Sequence, residues 1–550
     1  MLAGAAVAAL ALVPGTAAAK LAASGDPNRT YVEARAAAMN GDHGRSAALF
    51  AAMAETQPSD PDLAKKGLGE ALGAGQIDLA LRLARSIPTA KLPTDARLLL
   101  VADEVRRRRL DRALPWLSVA ADNGDLSFLS PVITAWDFAE RGDLTRALTT
   151  VDQIPVGSLL APLRDEEKAL ILLKFRRTAD AEPYARRAIG SAGSRETRLR
   201  LALADGFLAA GDRARAQIML EGIDAGAGDA RQRILGGRRS GQAIDNSAKA
   251  LSEILTAFGT DLARMQRTAP PIGLVQVARY ANPDNSGATI LLALLLDTQG
   301  RSEEALGLLR AVPPSDAMIS EARDGQARVL SEGKRFNEAY AVAAAAAAAP
   351  NATASDFSRL GDVYQAMKRY NEAANAYGRA IALGEAQGRK SDLWTMLLLQ
   401  ASALQEANRW PETKQALEKG LALAPDQPLL LNFLGYAKLE KGEDTDAAEA
   451  MIRKASALAP EDASIIDSLG WAQFKRGKTA DAITTLQKAA EKDPDQAEIQ
   501  EHLGDALYTS GRRYEARFAW SAALVTGEDE IVARVKAKLT SGLTTTNAAP

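Results

Sequence analysis

The sequence predicts an all-α protein in which antiparallel helix pairs stack side by side as a repeat solenoid. Helix-favouring Ala, Leu, Glu, Arg and Lys are abundant along the 550 residues, whereas Val, Ile and Thr dominate no long segment. Small residues and prolines return with a period of about 34 residues, which is typical of repeat architectures. Short turns with Gly and charged residues divide each period into two halves, as a helix–turn–helix unit requires.

The composition lacks the side chains that most enzyme classes use for catalysis. The chain has no Cys and two His, so disulfides, thiol catalysis and thiolate zinc sites are excluded, and His-based catalytic or multi-His metal sites are nearly so. Lys and Arg number 67 against 69 Asp and Glu, a net charge of −2, which argues against a nucleic-acid binder. We therefore expect a protein without enzymatic activity, cofactor, metal or nucleic-acid partner.

Residues 1–19 predict a cleaved signal peptide. The apolar run Leu2–Val13 is too short to span a bilayer. Ala17 and Ala19 form the small-x-small pattern that signal peptidases recognise, with cleavage before Lys20. No later apolar stretch reaches the length of a transmembrane helix. We therefore expect a periplasmic or secreted protein. The alternative is that this segment is an Ala-rich helix of a cytosolic protein.

Four series of residues carry the repeat in the C-terminal part of the chain. Prolines end the second helix of each unit, a glycine lies in the first helix of the next unit, and two alanines mark its second helix. The series are Pro425, Pro460 and Pro494, then Gly435, Gly470 and Gly504, then Ala448, Ala482 and Ala516, then Ala455, Ala489 and Ala523. Gly361 and Ala373 repeat the frame earlier, and Gly142 with Ala147 is a weaker upstream copy.

The spacing has a packing explanation. Small residues in the first helix, helix A, and in the second, helix B, lie where the two helices approach most closely. A larger side chain there would overpack the pair and cost about 1–3 kcal/mol. Four positions after the first alanine of helix B, a large residue is expected to fill the core. This series is Tyr377, Leu417, Ile452, Leu486 and Trp520.

The pattern resembles the tetratricopeptide repeat (TPR), most strongly from Phe357 to Leu524, with weaker copies upstream and about a dozen units in all. The resemblance implies a right-handed superhelix with a concave groove. The chain is also similar to large secreted bacterial TPR proteins, through the phrases Asp467–Trp471 and His502–Trp520. Some of those relatives are envelope lipoproteins that act as adaptors for periplasmic proteases. This chain lacks their lipid-bearing Cys, so we do not expect a lipid anchor. Peripheral association with the envelope is the alternative that stays open.

The organisation expected from these signals has six segments. The Gly- and Arg-rich stretch after the first repeats is interpreted as a loose connection between two arrays, and the polar helix near the end as a cap. The segments are 1–19 (signal peptide), 20–221 (divergent N-terminal TPR-like array), 222–246 (connection), 247–527 (C-terminal array, best formed at 357–524), 528–543 (capping helix) and 544–550 (disordered tail).

The resemblance also indicates which residues face the concave groove. In a TPR, positions 2, 5, 9 and 12 of helix A do so, and counting from the glycine at position 8 selects aromatic residues flanked by polar ones. Such a set suits peptide recognition. The predicted partner-binding groove consists of Asn432, Tyr436, Asp467, Trp471, Phe474, Glu501, Asp505 and Tyr508. The alternative for Trp471 and Phe474 is core packing between units.

Three other motifs have plainer interpretations. Arg106–Arg109 lies at the end of a helix A and is interpreted as a solvated turn, with an anionic partner as the alternative. Glu166 and Glu167 are adjacent on a helix, so they do not face each other as a catalytic pair and are expected on a solvated surface. His502 has carboxylates nearby but no evident third strong metal ligand.

The function expected from the sequence is a non-enzymatic scaffold or adaptor in the bacterial cell envelope, which binds peptides or helices of partner proteins in the groove. The resemblance implies a periplasmic protease or an envelope-assembly component among the partners. Two alternatives stay open. One is a helical accessory part of a peptidoglycan-processing enzyme, and the other is a cytosolic assembly scaffold, if the leader is not cleaved.

Overall fold

The structure is a computed structural model, and its architecture is an array of helices. The residues it describes are 26–118, 124–221, 228–265, 270–350, 352–388 and 393–549. Within these ranges the chain forms thirty α-helices and no strand, so the predicted all-α repeat array is confirmed. The predicted signal peptide 1–19 lies outside the described residues.

The chain divides into two compact units, the N-terminal unit Met1–Arg335 and the C-terminal unit Phe336–Pro550. The segment 222–246, expected as a loose connection between arrays, lies inside the first of these units. Its described part is held by a buried carboxylate, because Asp205 accepts hydrogen bonds from the backbone N–H groups of Ser240 at 2.7 Å and Ala243 at 3.0 Å.

The N-terminal unit consists of short helices that follow one another as antiparallel pairs joined by tight turns. They are α1 Pro27–Met39, α2 His43–Thr56, α3 Pro61–Gly73, α4 Ile77–Ser86, α5 Thr94–Arg106, α6 Leu110–Leu117, α7 Ser130–Glu140, α8 Leu144–Asp152, α9 Arg164–Lys174, α10 Thr178–Ser191, α11 Glu196–Ala209, α12 Arg213–Met219, α13 Gly228–Leu235, α14 Ser247–Met265, α15 Ile272–Ala281, α16 Ser286–Asp297, α17 Ser302–Ala311 and α18 Ile319–Glu332.

Two helices of the N-terminal unit turn back across its earlier repeats. α15 packs against α3 and α5, and α14 packs against α5 and α7. Hydrogen bonds hold α14 and α15 in this position. Tyr280 Oη donates to Asp103 Oδ1 at 2.7 Å, and Ser247 donates to Glu140 Oε1 through its N–H and its hydroxyl. The faces of α5 and α7 that these helices contact are therefore occupied by the chain itself.

The C-terminal unit continues the same helix pairs with more regular lengths. Its helices are α19 Phe336–Ala347, α20 Ala354–Ala366, α21 Tyr370–Ala386, α22 Leu393–Glu406, α23 Trp410–Leu423, α24 Pro428–Glu440, α25 Thr445–Leu458, α26 Ala463–Lys475, α27 Thr479–Lys492, α28 Ala497–Thr509, α29 Arg513–Thr526 and α30 Asp529–Ser541. From α20 to α29, even-numbered helices are the A helices and odd-numbered ones the B helices. α30 lies within the segment predicted as a cap.

Helix A and helix B meet at the glycine that the repeat pattern singled out. A Cβ atom added to Gly361 would lie 2.6 Å from the Tyr377 ring, and one added to Gly504 would lie 2.3 Å from the Trp520 ring. The five large residues predicted to fill the core are all at most 1% exposed, which confirms that part of the pattern. The glycine is thus required by the close approach of a large side chain from helix B.

The end of the chain differs from the disordered tail predicted for 544–550. Its described residues, 544–549, fold back against the last helices, and Asn547 and Ala549 are buried. Asn547 Nδ2 donates to the Gly542 carbonyl at 2.9 Å, and the Ala549 N–H donates to Asp505 Oδ2 at 3.1 Å. A polar, Thr-rich composition predicted disorder, but a buried carboxylate in α28 supplies the acceptor that holds the segment.

Candidate partner-binding face of the C-terminal unit

The predicted groove residues lie on three successive A helices, α24, α26 and α28. The A helices contact one another directly, α24 with α26 and α26 with α28, and α28 in turn contacts α30. Side chains one repeat apart therefore meet, and most of the predicted groove residues make their contacts in this way.

The centre of the face is a buried aromatic stack. Trp471 in α26 is 1% exposed and stacks with two rings, with its centroid 5.0 Å from Phe474 and 4.1 Å from His502 in α28. His502 Nδ1 lies 2.9 Å from Asp467 Oδ2, so the carboxylate orients the imidazole against the indole. The alternative interpretation of Trp471, packing between units, is the one that agrees with its burial.

The pKa of His502 is set by its burial and by the charges around this centre. Burial favours its neutral form, but the charges of Asp467, Glu498 and Asp505 and the hydrogen bond to Asp467 outweigh burial and raise its pKa above the ordinary value. Its other ring nitrogen, Nε2, is buried and has no hydrogen-bond partner within the described chain.

A second cluster joins α28 to the last helix. Glu501 accepts hydrogen bonds from Arg534 at 2.7 Å and from Lys538 at 2.7 Å, and Lys538 also donates to Asp505 Oδ2 at 2.7 Å. Trp520 Nε1 donates to the other Asp505 oxygen at 2.9 Å. Glu501, Asp505 and Lys538 are fully buried, so these carboxylates hold α30 and are not free for a partner.

The pKa values of the two carboxylates shift in opposite directions, although burial alone would raise both. Burial would raise the pKa of Glu501, but hydrogen bonds from Arg534 and Lys538 outweigh it and lower the pKa below the ordinary value. For Asp505, burial dominates and raises the pKa despite the Lys538 ammonium.

The remaining predicted residues keep part of their surface. Asn432 Nδ2 donates to Ser468 Oγ at 3.1 Å, while its buried Oδ1 has no partner within the described chain. Tyr436 packs on the core around Leu439 and Ile452. Burial, together with the charges of Glu440, Glu498 and Asp467, raises the pKa of its hydroxyl, which marks the surroundings as negative. Phe474 and Tyr508 are also half-buried.

The predicted groove therefore separates into two sets. The floor is buried and made of Asp467, Trp471, Glu501 and Asp505, whereas Asn432, Tyr436, Phe474 and Tyr508 are partly accessible. Position counting places a side chain on the inner side of helix A but says nothing about the neighbouring repeat that covers it. The four floor residues differ from the other four because side chains of neighbouring helices bury them.

Sequence reasoning missed the partners that cover the floor, and a signal for them exists. Arg534 and Lys538 follow Glu501 by roughly one repeat, and His502 follows Asp467 by the same distance. Because adjacent A helices bring such positions together, opposite charges spaced by one period indicate an inter-repeat ion pair.

Exposed charged residues form the rim of the face. Glu440 and Lys475 lie 3.8 Å apart at the ends of α24 and α26, and Lys475 Nζ lies 5.2 Å from the centroid of the Trp471 ring. Glu498 is exposed at the start of α28 and contributes to the negative surroundings of Tyr436. We call Tyr436, Phe474, Glu440 and Glu498 the accessible face.

The N-terminal unit overturns the expectation for Glu166 and Glu167. Both side chains are buried, at 5% and 2% exposure. Arg195 Nη1 donates to Glu166 Oε2 at 3.0 Å, and Trp136 Nε1 donates to Glu167 Oε2 at 2.6 Å. Burial, with a contribution from the Glu166 charge, raises the pKa of Glu167 to about 8. Adjacent helical positions diverge, but here each finds a partner elsewhere inside the unit.

Two family models match the chain. The model described as TPR repeat matches residues 470–511, and the one described as tetratricopeptide repeat matches residues 357–384. No curated protein matches. Within the part of the chain that the structure describes, no helix is both long enough and apolar enough to cross a membrane.

Solved structures resemble the chain at low identity. The crystal structure of the APC/C hetero-tetramer Cut9–Hcn1 is 15% identical, covering 94% of this chain and 97% of that chain, with a TM-score of 0.38. A tetratricopeptide repeat protein from Parabacteroides merdae is 14% identical over 46% of this chain and 97% of that chain, also at 0.38. A thermophilic TPR protein from Thermus thermophilus is 20% identical over 34% of this chain and 100% of that chain, at 0.30.

The repeat period, the glycine contacts and the family matches lead to one conclusion. The chain contains tetratricopeptide repeats, and the matched ones, 357–384 and 470–511, lie in its C-terminal unit.

Proposed function

We propose that this chain is a non-enzymatic scaffold of the bacterial cell envelope that binds a segment of a partner protein on the accessible face of its C-terminal unit. TPR arrays are protein–protein interaction scaffolds, which supports the binding of a partner protein. The proposed function further includes the envelope location, an adaptor role, and a periplasmic protease or an envelope-assembly component as partner.

One observation carries the choice of face. Partly accessible Tyr436 lies close enough to exposed Glu440 and Glu498 for their charges to raise the pKa of its hydroxyl. Phe474, also partly accessible, is on the next A helix, α26. Aromatic anchors next to carboxylates suit a segment with apolar side chains and Lys or Arg. Phe474 stacks on the buried Trp471, and Tyr436 packs on the core around Leu439 and Ile452, which limits the entropy that both rings lose on binding.

The mechanism of such a scaffold is tethering. A partner bound to one array is held near any protein bound elsewhere on the same chain, which raises their effective concentration without any new chemistry. Such tethering is the mechanism that we propose for the adaptor role.

Photo-cross-linking tests the proposed face. A photoreactive amino acid replaces Glu498, and in a matched control it replaces Glu418, which is exposed on the helix B α23 of the same unit. In envelope fractions we expect a cross-linked protein with the Glu498 probe and none with the Glu418 probe. The double charge reversal Glu440→Lys/Glu498→Lys should weaken capture at least 10-fold, whereas Glu418→Lys should not.

Two outcomes would overturn the proposal. Equal capture by the Glu498 and Glu418 probes would move the binding site away from this face. N-terminal sequencing of the mature protein tests the location separately: a first residue of Lys20 supports export, and an intact Met1 opposes it.

A further inference from the structure

The N-terminal unit contains a basic cleft at the ends of its helix pairs. A cavity of about 370 Å³ lies between the turns that follow α5 and α9, the end of α7, and the segment that precedes α14. The charged side chains that line it are Arg108, Lys174, Arg176, Arg239, Glu140 and Asp245.

The carboxylates of this cleft are already engaged. Glu140 Oε1 accepts two hydrogen bonds from Ser247, at 2.7 and 2.6 Å. Asp245 Oδ1 lies 2.9 Å from Lys249 Nζ, and Lys174 donates to the Asp245 backbone carbonyl. Four cationic side chains line the cleft against two carboxylates, so it has an excess of positive charge.

That excess is carried by three arginines. Arg108, Arg176 and Arg239 are exposed, and none of their guanidinium groups has a hydrogen bond or ion pair with a described residue. A guanidinium offers planar, forked donors that match a carboxylate. Three such groups in one cleft form a site for more than one anionic group.

The backbone conformation of two of these arginines is costly. Arg108 and Arg176 have φ values of +55° and +56°, whereas the corresponding turns after α7 and α11 use Gly142 and Gly211 in that left-handed region. Glycine adopts this conformation without strain, but another residue does not. The chain thus carries arginine on two alternate turns where glycine would be easier, and both side chains reach the same cleft.

The cleft continues beyond the first cavity. A second cavity of about 210 Å³ shares Arg108, Glu140 and Asn246 with it and adds Arg106 and Lys249 to the lining. Positive side chains therefore follow an extended path along the ends of the helices, and a single small anion would use only part of it.

We propose that this cleft binds an acidic segment of a partner protein, whose Asp or Glu carboxylates pair with Arg108, Arg176 and Arg239. The site is in a different unit from the accessible face, so it does not depend on the function proposed above. It would give the chain a second attachment point for acidic rather than basic partner segments.

The test uses fluorescein-labelled hexaglutamate and fluorescence anisotropy with the full chain. We expect binding that weakens as salt is raised. The double variant Arg108→Gly/Arg176→Gly should bind at least 10-fold more weakly. Because glycine suits a positive φ, this variant should be at least as stable as the parent in thermal unfolding, so weaker binding would not reflect unfolding.

A matched control makes the same backbone change elsewhere. Lys334 and Lys368 have φ values of +57° and +58° and do not line the cleft. The variant Lys334→Gly/Lys368→Gly should therefore leave hexaglutamate binding unchanged. Three results would each overturn the proposal. The arginine variant could bind hexaglutamate as tightly as the parent, or the parent could bind hexaglutamine as tightly as hexaglutamate. Inorganic phosphate, at the same concentration of anionic groups, could displace hexaglutamate.

Discussion

A single hydrogen atom in place of a methyl group decides how closely the helices of one repeat can pack. Gly470 in α26 faces Leu486 in α27, and an added Cβ would lie 2.6 Å from Leu486 Cγ and 3.2 Å from its backbone nitrogen. The side chain cannot simply move away, because the backbone is in contact as well. The regularly spaced glycines of the repeat pattern therefore lie where helix A and helix B make these close contacts.

Gly470→Ala should destabilise the C-terminal unit by about 1–3 kcal/mol because it overpacks this contact. Chemical denaturation followed by circular dichroism measures the change. Gly69→Ala is the control: Gly69 is in α3 with no atom within 4 Å of an added Cβ, so alanine should stabilise that helix by up to about 1 kcal/mol. A neutral Gly470→Ala would contradict the close approach.

Glu167 makes the N-terminal unit sensitive to pH. Its pKa rises from an ordinary 4.5 to about 8, so between these values the folded chain holds a proton that the unfolded chain releases. Stability therefore falls as the pH rises through this window. Glu167→Gln keeps an acceptor for Trp136 and should be more stable than the parent by about 1–3 kcal/mol at pH 8, but not at pH 5.

Denaturation curves at pH 5, 6.5 and 8 test this expectation. An identical pH dependence in the parent and in Glu167→Gln would show that another group is responsible. Glu303→Gln is the control, because Glu303 is exposed in α17 and should not change the pH dependence.

The last helix is held by buried charges as well as by apolar contacts. α30 has two buried residues, Val535 and Lys538, and the Lys538 ammonium lies between Glu501 and Asp505 of α28. A buried pair of this kind need not add much stability compared with apolar residues, but removing one partner leaves uncompensated charge.

Lys538→Ala should therefore destabilise the attachment of α30 by about 3–5 kcal/mol. Hydrogen exchange measured by mass spectrometry should show faster exchange in 529–541 and little change elsewhere. Lys536→Ala, an exposed neighbour in the same helix, should leave exchange unchanged. If both variants behaved alike, apolar packing rather than the ion pairs would hold α30.

The C-terminal unit buries apolar clusters of its own. Within the C-terminal unit, clusters around Tyr377 and Leu417 in one part and around Leu486 and Trp520 in another draw all their members from residues of that unit. TPR arrays gain stability from each repeat and from contacts with its neighbours, so an array can fold without distant segments.

A fragment of residues 336–550 should accordingly fold on its own. We expect helical circular dichroism and a cooperative thermal transition, since the neighbouring-repeat contacts of α20–α30 all remain. A fragment without a cooperative transition would contradict this independence. The fragment carrying Gly470→Ala should melt at a lower temperature than the parent fragment.

Much of the fold could be predicted from the sequence, because repeat periodicity is local and additive. Turns such as those at Gly142 and Gly477, and the core series from Tyr377 to Trp520, follow from spacing alone. The candidate site was harder to predict, since counting positions within a helix cannot say what the next repeat places against it. Trp471 and Glu501 were expected in a groove, but His502 and Lys538 cover them.

The repeat pattern was enough to predict an all-α array of helix pairs and the positions at which the helices of each pair touch. These features depend on residues close together in the chain, where spacing and side-chain size decide the outcome. The burial of Glu166, Glu167, Glu501 and Asp505, in contrast, depends on how distant helices pack together. Burial of a charged group depends on a partner from a distant helix, because only a hydrogen-bonded counterpart offsets the loss of water.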